Sequence, residues 1–251
     1  MAVQVDTVSV PWRELRDPVL AAAPDDPLVE LLRDWDGNVT GDSTAASVYE
    51  LLVSELACAL ARDEAPNGWR WAVGGGFGRS VPRTSFGART LSRLVDRLRQ
   101  GRGTERIPDA LAVAAETLRE HHGPDPAGWA WGRVRPLRLH HPLGVRRPLD
   151  RFFNVGPVSI GGDANTPAQA GVQPLSPLAN PAAIANQRAV IDLGDPERSR
   201  FVLAGGQSGN PLSPHYADLF GHWQRGEGVP IAWSRASVDA SRVDRLVLRP
   251  A

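Results

Sequence analysis

The chain has 251 residues, 42% of them hydrophobic, and its 28 basic and 28 acidic residues give a formal net charge of zero. Such a length and composition are typical of one large or two small folded domains and exclude a disordered chain. All the basic residues are arginines, and a neutral chain lacks the basic face that binding to nucleic acid requires. We therefore expect no nucleic-acid partner.

Two further classes are disfavoured by the sequence. The single cysteine, Cys58, excludes an intramolecular disulfide and a cysteine-based zinc site, and its apolar neighbours predict a buried thiol. Residues 1–20 carry charges and no long apolar segment, which predicts no signal peptide there. No run reaches the roughly 18 apolar residues of a membrane-spanning helix, so we expect no membrane partner.

The opening residues alternate valine with other residue types, which predicts a strand over residues 3–10. A short helix is predicted over 26–34, because Asp26 suits the cap and Pro27 the first position, with a turn after it. Apolar residues at four-residue steps then predict a long helix, which begins at Ser43 and ends before the next proline.

Residues 69–88 contain three consecutive glycines and predict a loop-rich connection. Helical periodicity returns over 91–98 and again over 107–120, where Gly123 follows the last turn. Residues 26–123 are thus predicted to be the mainly helical half of a single region, 1–251.

Residues 129–251 are predicted to be the mainly strand and loop half. The elements predicted there are a strand over 134–139, paired strands over 189–193 and 201–204, a short helix over 214–225 and a last strand over 245–248. Residues 156–187, rich in glycine, proline, asparagine and alanine, predict a long loop of the kind that is often functional. Helices before strands indicate an α+β fold with an antiparallel sheet and packed helices.

The run Gly206-Gln207-Ser208-Gly209-Asn210-Pro211 raises the question of a serine nucleophile. A nucleophile elbow needs one residue between the serine and the second glycine, whereas Gly209 follows Ser208 directly. The run is therefore interpreted as a turn at the end of a strand. A triad of Ser208, His215 and Asp218 is conceivable, since a spacing of three places the last two on one helix face. Closeness in sequence does not establish triad geometry.

Other candidate sites are weaker. The histidine pairs at 121–122 and 140–141 have no carboxylate or cysteine at ligand spacing, so no metal site is predicted. The run Gly161-Gly162-Asp163-Ala164-Asn165-Thr166 lacks the lysine of a phosphate-binding loop. A turn with local side-chain bonds is the favoured interpretation there, and pocket-lining roles for Asp163 and Asn165 stay open.

Five runs, in the same order along the chain, resemble the C-terminal region of penicillin acylases, which are N-terminal-nucleophile hydrolases. The runs are Gln4-Val5-Asp6-Thr7 with Ser9; Leu31-Leu32 through Trp35-Asp36-Gly37 with Asp42-Ser43 and Ala45-Ala46; Trp129, Trp131-Gly132 and His141-Pro142-Leu143-Gly144; Gly161-Gly162-Asp163 with Asn165-Thr166; and Gly206 to Pro211 with Ser213-Pro214-His215-Tyr216 and Trp223. The set extends over nearly the whole chain and corresponds to roughly the last third of a full-length member.

The resemblance implies a four-layer αββα sandwich and an amide hydrolase that acts on C–N bonds in linear amides. It implies an N-terminal serine, exposed by self-cleavage of a precursor, whose own amino group is the base and which forms an acyl-enzyme. Backbone N–H groups and an asparagine hold the oxyanion. The implied substrate is a small N-acyl amide, such as the acyl side chain of a β-lactam or an acyl-homoserine lactone.

In the family, the nucleophile, the oxyanion asparagine and the calcium ligands lie upstream of the run that begins here at Gln4. We therefore expect no catalytic residue and no cofactor in this chain, and inactivity of the chain alone. Asp163, Asn165 and Arg188 are the polar residues predicted to lie closest to the site. The implied partners are the α subunit and the N-terminal part of the β subunit.

Three hypotheses remain open, of which the first is favoured. The chain is part of an acylase, a non-catalytic binding or structural module that keeps part of the fold, or an independent serine hydrolase that uses Ser208, His215 and Asp218. The sequence leaves the compartment unassigned; members of the family are bacterial and often exported.

Overall fold

A computed structural model describes residues 2–75, 83–181 and 183–249, without the side chains of 83–88. The chain divides into two compact units. The helical unit comprises Val5–Ala185, and the sheet unit comprises Met1–Gln4 with Asn186–Ala251.

Within its described residues the helical unit contains eight α-helices and one small sheet. The helices are α1 Val10–Ala22, α2 Pro27–Arg33, α3 Thr44–Glu64, α4 Trp69–Ala72, α5 Arg83–Arg99, α6 Ile107–His122, α7 Trp131–Val134 and α8 Leu149–Phe153. The sheet is an antiparallel pair, β1 Leu137–Leu139 and β2 Val155–Val158. The strand predicted over 134–139 begins only at β1, because the preceding residues form the buried helical turn α7.

The strand predicted from the alternating valines is wrong. Residues 2–5 form a short 3₁₀ helix, and α1 follows it. Trp12, Leu15 and Val19 recur at helical spacing and are fully buried, and Pro11 occupies the first turn. The buried aromatic and aliphatic stripe therefore decides the local structure, and the valine alternation does not.

The helices α2 and α3 confirm the sequence-based predictions, caps included. The Asp26 carboxylate accepts a hydrogen bond from the N–H of Leu28, and the Ser43 hydroxyl accepts one from the N–H of Ala46. Most of α3 is buried, and it packs against α2, α5, α6 and α7. The core of the helical unit is thus built around α3.

By length and composition α3 is also apolar enough to cross a membrane, which the sequence analysis did not anticipate. In this structure 78% of its most apolar window is buried inside the protein. That burial is typical of a central core helix.

The helices α5 and α6 confirm the predicted periodicity, and Gly123 ends α6 with a φ of +83°. The loop predicted over 69–88 is partly wrong, because α4 and the start of α5 fall within it. Residues 76–82 of that stretch, including Gly76, lie outside the described residues.

The sheet unit contains three antiparallel strands in the order β3-β4-β5. The strands are β3 Gln187–Val190, β4 Arg200–Leu203 and β5 Val229–Pro230, and they are accompanied by α9 Phe220–Gln224 and α10 Arg235–Ser241. Arg188 pairs with Val202 and Val190 with Arg200, which confirms the predicted antiparallel pair. The helix α9 packs on β4 through its buried residues Phe220 and Trp223.

Two predictions for the sheet unit are wrong. The helix expected over 214–225 is restricted to α9, since the preceding residues form turns such as that from Ser213 to Tyr216. Residues 245–248 form no strand, and α10 was not foreseen. Leu246 and Leu248 are highly exposed, and neither sheet of the described chain includes this segment.

Candidate functional site

Five polar side chains meet in the interior of the helical unit. They are Ser9, Tyr49, Glu50, Arg135 and Asp163, and each is at most 5% exposed. The Ser9 hydroxyl donates to Oδ2 of Asp163 at 2.6 Å and lies 3.3 Å from the Tyr49 hydroxyl. This buried polar cluster joins the start of α1, the middle of α3, the end of α7 and the long loop after β2.

The loop at Asp163 is a turn with local side-chain bonds, as the sequence predicted. The N–H of Asp163 donates to Oγ1 of Thr166 at 3.0 Å, and the N–H of Asn165 donates to Oδ1 of Asp163 at 2.5 Å. Gly162 has a φ of +88°, and a Cβ there would lie 2.0 Å from the carbonyl oxygen of Ala168. Only glycine fits that position.

Arg135 fixes the remainder of the loop. Its guanidinium donates to the carbonyl oxygens of Ala170 and Ala179, each at 3.1 Å, and to that of Gly171. It also lies over the Trp131 ring, 5.1 Å from the centroid. Burial lowers the pKa of Arg135 to about 10, an effect that the neighbouring carboxyl groups of Glu50 and Asp163 oppose.

Glu50 is the acid of the cluster that holds a proton. Burial raises its pKa well above the ordinary value, the charge of Asp163 and a hydrogen bond to Asp163 act in the same direction, and Arg135 opposes them. Tyr49 is likewise kept neutral, because burial raises its pKa well above the ordinary value.

Sequence reasoning singled out Asp163 as a candidate polar residue, but it did not single out Glu50 or Arg135. The signal for Glu50 was present, since it is an acid in the apolar run Val48-Tyr49-Glu50-Leu51-Leu52 of a core helix. A buried carboxyl group in such a position requires a partner. Arg135 carries no comparable local signal, because arginines are frequent throughout this chain.

Of the other two predicted residues, Asn165 lines a surface groove of about 440 Å³ together with residues of α1 and α5. Arg188 belongs to the sheet unit. Its Nη1 donates to the carbonyl oxygen of Trp223 at 2.7 Å, and its guanidinium lies 4.8 Å from the centroid of that ring. Burial lowers the pKa of Arg188. That these residues lie near a catalytic site stays a prediction.

Ser208, His215 and Asp218 line one cleft of the sheet unit, with a volume of about 720 Å³. Nδ1 of His215 lies 2.8 Å from Oδ2 of Asp218. The Ser208 hydroxyl accepts a hydrogen bond from the N–H of Asn210, and the N–H of Ser208 donates to the carbonyl oxygen of His215. From the sequence, His215 and Asp218 were considered for one helix face. In the structure, turns place them and Ser208 in the lining of this cleft.

The remaining candidates are structural. His121 and His122 lie in the last turn of α6, where a cation is favourable, although burial, His121 and Arg133 lower the pKa of His122. Cys58 is buried as predicted, and burial raises its pKa to about 11, which makes the thiol inert at neutral pH. Among the described residues, no three His, Cys, Asp or Glu side chains cluster.

The comparisons with known proteins agree with the resemblance. The penicillin amidase family model matches residues 1–240. Penicillin acylase 2 proenzyme from Pseudomonas sp. (strain SE83) is 32% identical over 95% of this chain and 29% of its own length. Acyl-homoserine lactone acylase QuiP from Pseudomonas putida is 28% identical over 78% of this chain and 25% of its own length.

A thermostable penicillin G acylase from Alcaligenes faecalis is similar in structure, with a TM-score of 0.46 and 16% identity over 98% of this chain and 48% of that one. The chain thus spans less than a third of the length of the curated relatives it matches. Since the family model matches nearly all of its residues, the chain belongs to the penicillin amidase family.

Proposed function

We propose that this chain is the C-terminal supporting part of an amidase that hydrolyses the linear amide of a small N-acyl compound. The observation that carries the proposal is the match to a penicillin acylase over 95% of this chain. An acyl-homoserine lactone acylase is also similar, so the substrate class comprises acylated β-lactams, acyl-homoserine lactones and related amides. The nucleophile is an N-terminal serine on polypeptide outside these 251 residues.

The geometry of the helical unit is consistent with a structural role for this chain in the enzyme. Asp163 and Arg135 of the buried polar cluster are each hydrogen-bonded to other protein groups, and the bonds of Arg135 fix a long loop. Such an arrangement preorganises a wall and contributes no attacking atom. Asp163, Asn165 and Arg188 are proposed to be the polar residues of this chain that lie closest to the catalytic site.

The same proposal includes the fold of the whole enzyme, an αββα sandwich. The antiparallel sheet β3-β4-β5, with α9 packed on β4, is the kind of layer pair from which an αββα sandwich is built. The partners would be the α subunit and the N-terminal part of the β subunit. In the assembled enzyme the serine's own amino group removes the hydroxyl proton, an acyl-enzyme forms and water releases the acid.

The test is an amidase assay on the purified chain with a chromogenic phenylacetyl amide and a chromogenic long-chain acyl amide. We expect no turnover by the chain alone, and turnover when the remaining acylase segments are expressed with it. Robust turnover by the chain alone that is abolished by Ser208→Ala would contradict the proposal and identify Ser208 as the nucleophile. Covalent labelling of Ser208 by a fluorophosphonate probe would lead to the same conclusion.

One observation favours a second candidate, a non-catalytic module. The core of the helical unit is continuous, and its central side chains, among them Val29, Leu52 and Leu111, are fully buried. A unit with such a core is expected to fold by itself. A cooperative melt of the isolated chain, together with failure to restore activity to the other acylase segments, would favour this candidate.

A further inference from the structure

The connection between β1 and β2 contains a closed loop, residues 144–153, whose two ends are joined by one side chain. Nδ2 of Asn154 donates to the carbonyl oxygen of Gly144 at 2.9 Å, and its Oδ1 accepts the N–H of His141 at 2.9 Å. A Cβ at Gly144 would lie 2.2 Å from that Oδ1, so the two ends are in close contact. The second half of the closed loop is the helix α8. Hydrogen bonds thus define the conformation in which the loop presents its side chains.

Three large apolar side chains of the closed loop are exposed. Val145 is 78% exposed, Leu149 46% and Phe152 50%, although all three belong to one ordered segment of ten residues. Apolar side chains that are exposed singly are ordinary, whereas a cluster of them is typical of a surface that a partner covers. The closed loop therefore has the apolar content of an interface.

The same loop is basic, although the net charge of the whole chain is zero. It contains three arginines, at 146, 147 and 151, and a single acid, Asp150. Nε of Arg147 lies 3.9 Å from Oδ2 of Asp150. Arg146 and Arg151 are exposed and form no ion pair with any described residue. Two guanidinium groups beside the apolar side chains are therefore free to pair with carboxylates of a partner.

The composition of the loop decides between three kinds of partner. Arginine next to aromatic and branched apolar side chains is typical of protein interfaces. Three arginines are fewer than the roughly four to eight basic residues of a lipid-binding cluster. A second copy that docked through the same loop would bring arginines against arginines, because a two-fold contact joins identical surfaces. The loop therefore fits a different polypeptide, one with carboxylates beside an apolar depression.

We propose that the closed loop is the surface through which this chain docks onto the remainder of the acylase. Val145 and Phe152 enter an apolar depression of the partner, and Arg146 and Arg151 pair with aspartate or glutamate side chains at its rim. The inference rests on the proposed function, which supplies the partner, since the chain spans less than a third of the length of its curated relatives. It concerns binding only and involves no chemical step.

The experiment measures the affinity of the purified full chain for the co-expressed α subunit and N-terminal part of the β subunit of the same acylase, by biolayer interferometry. Val145→Ala/Phe152→Ala should weaken binding at least about tenfold, the loss expected for a central apolar contact. Leu193→Ala/Leu212→Ala is the matched control, because these leucines are 91% and 77% exposed but lie outside the loop. All four positions are exposed, so both double variants should keep the melting temperature of the wild type.

The charged half of the surface is tested separately. Arg146→Gln/Arg151→Gln should weaken binding about fivefold at low salt and reduce the dependence of the affinity on salt. Arg13→Gln/Arg119→Gln is the control, since it removes the same charge from two exposed arginines of α1 and α6. Equal losses in the two double variants would show that net charge, and not the loop, governs binding, and would overturn the inference.

The remaining outcomes separate the inference from the function on which it rests. If the wild-type chain does not bind the other segments, the proposed function is wrong and the inference with it. If the wild type binds and both loop variants bind equally well, only the inference is wrong. Sedimentation with phosphatidylcholine vesicles, with and without phosphatidylglycerol, tests a lipid surface. Binding to the anionic vesicles that Arg146→Gln/Arg151→Gln abolishes, with affinity for the protein partner unchanged, would overturn the inference in favour of a membrane.

Discussion

Glu50 shows how one buried side chain makes the stability of the protein depend on pH. Its pKa in the folded protein is raised well above the ordinary value of 4.5. Above pH 4.5 the folded protein therefore holds a proton at Glu50 that the unfolded chain has lost. The free energy of unfolding consequently falls as the pH rises from 4.5 towards the folded pKa. Glu50→Gln keeps the shape without the titration and should remove this fall.

The check is urea denaturation of the wild type and the variant at several pH values between weakly acidic and weakly alkaline. Relative to the wild type, Glu50→Gln should gain stability steadily as the pH rises. Glu55→Gln, five residues further along α3 and only partly buried, is the control and should follow the wild type. Parallel stability curves for the wild type and Glu50→Gln would show that Glu50 is not the proton-holding acid.

Gly162 provides a second prediction for a single residue. Gly162 has a φ of +88°, so an alanine there would have to adopt a strained left-handed backbone. Its Cβ would also lie 2.0 Å from the carbonyl oxygen of Ala168. Gly162→Ala should therefore destabilise the helical unit by about 3 kcal/mol or more, through strain and displacement of the Asp163 turn. Gly101→Ala is the matched control, because Gly101 also has a positive φ but nothing within 4 Å of the added Cβ. It should cost only about 1 kcal/mol in thermal or urea unfolding.

Single residues also show how far sequence reasoning reaches. Asp163 could be identified because its glycine-rich turn has a recognisable pattern of local hydrogen bonds. Its partner Ser9 lies 154 positions away, and no local rule brings the two together. The spacing of three between His215 and Asp218 suggested that one helix face could hold both, whereas in the structure turns bring them into hydrogen-bond contact.

Among the elements, α3 was predictable from local signals alone, and its cap can be tested. The Ser43 hydroxyl accepts a hydrogen bond from the N–H of Ala46 at 3.1 Å, which satisfies one of the free donors of the first turn. Ser43→Ala should lower the free energy of unfolding by about 1 kcal/mol, because α3 is central to the core. Ser234→Ala removes the equivalent cap of the exposed helix α10 and should leave global unfolding nearly unchanged. Equal losses in the two variants would contradict the central role of α3.

The elements that sequence reasoning missed share a physical cause. A helix closes its hydrogen bonds locally, so caps and a stripe of apolar side chains are enough to predict α2, α3 and α6. A strand needs a neighbour that the local sequence does not specify. The valines of residues 3–10 and the leucines of residues 245–248 have the right composition for strands. Of the valines, Val8 forms only an isolated antiparallel bridge with Asn38, and residues 245–248 pair with no strand in the described chain.

For the molecule as a whole, the helical unit is a nearly continuous stretch of chain, whereas the sheet unit brings together residues that are far apart in sequence. The helical unit has a continuous core, whereas the sheet unit collects its strands from residues 187–230 and adds the first residues of the chain. The side chain of Gln4 donates to the carbonyl oxygen of Ala189 on β3, across 185 positions. Composition and periodicity carry no information on a contact at that separation.

Exposed apolar side chains near residue 245 lead to a prediction for the behaviour of the whole molecule. Val243 is 93% exposed, and Leu246 and Leu248 are each 84% exposed, within one short segment. Clustered apolar exposure promotes association, particularly in a chain whose net charge is zero at pH 7. The isolated chain should therefore self-associate in a concentration-dependent way, and the double variant Leu246→Lys/Leu248→Lys should shift it towards the monomer without changing its melting temperature.

The measurement is sedimentation velocity over a range of concentrations. The control is Leu143→Lys/Leu193→Lys, which adds the same charge at two exposed leucines that are far apart in sequence. If charge alone suppressed association, the two double variants would behave alike. If the segment is the contact, only Leu246→Lys/Leu248→Lys favours the monomer. The comparison thus separates a general effect of net charge from a specific apolar surface, and a chain that is monomeric at all concentrations would exclude both.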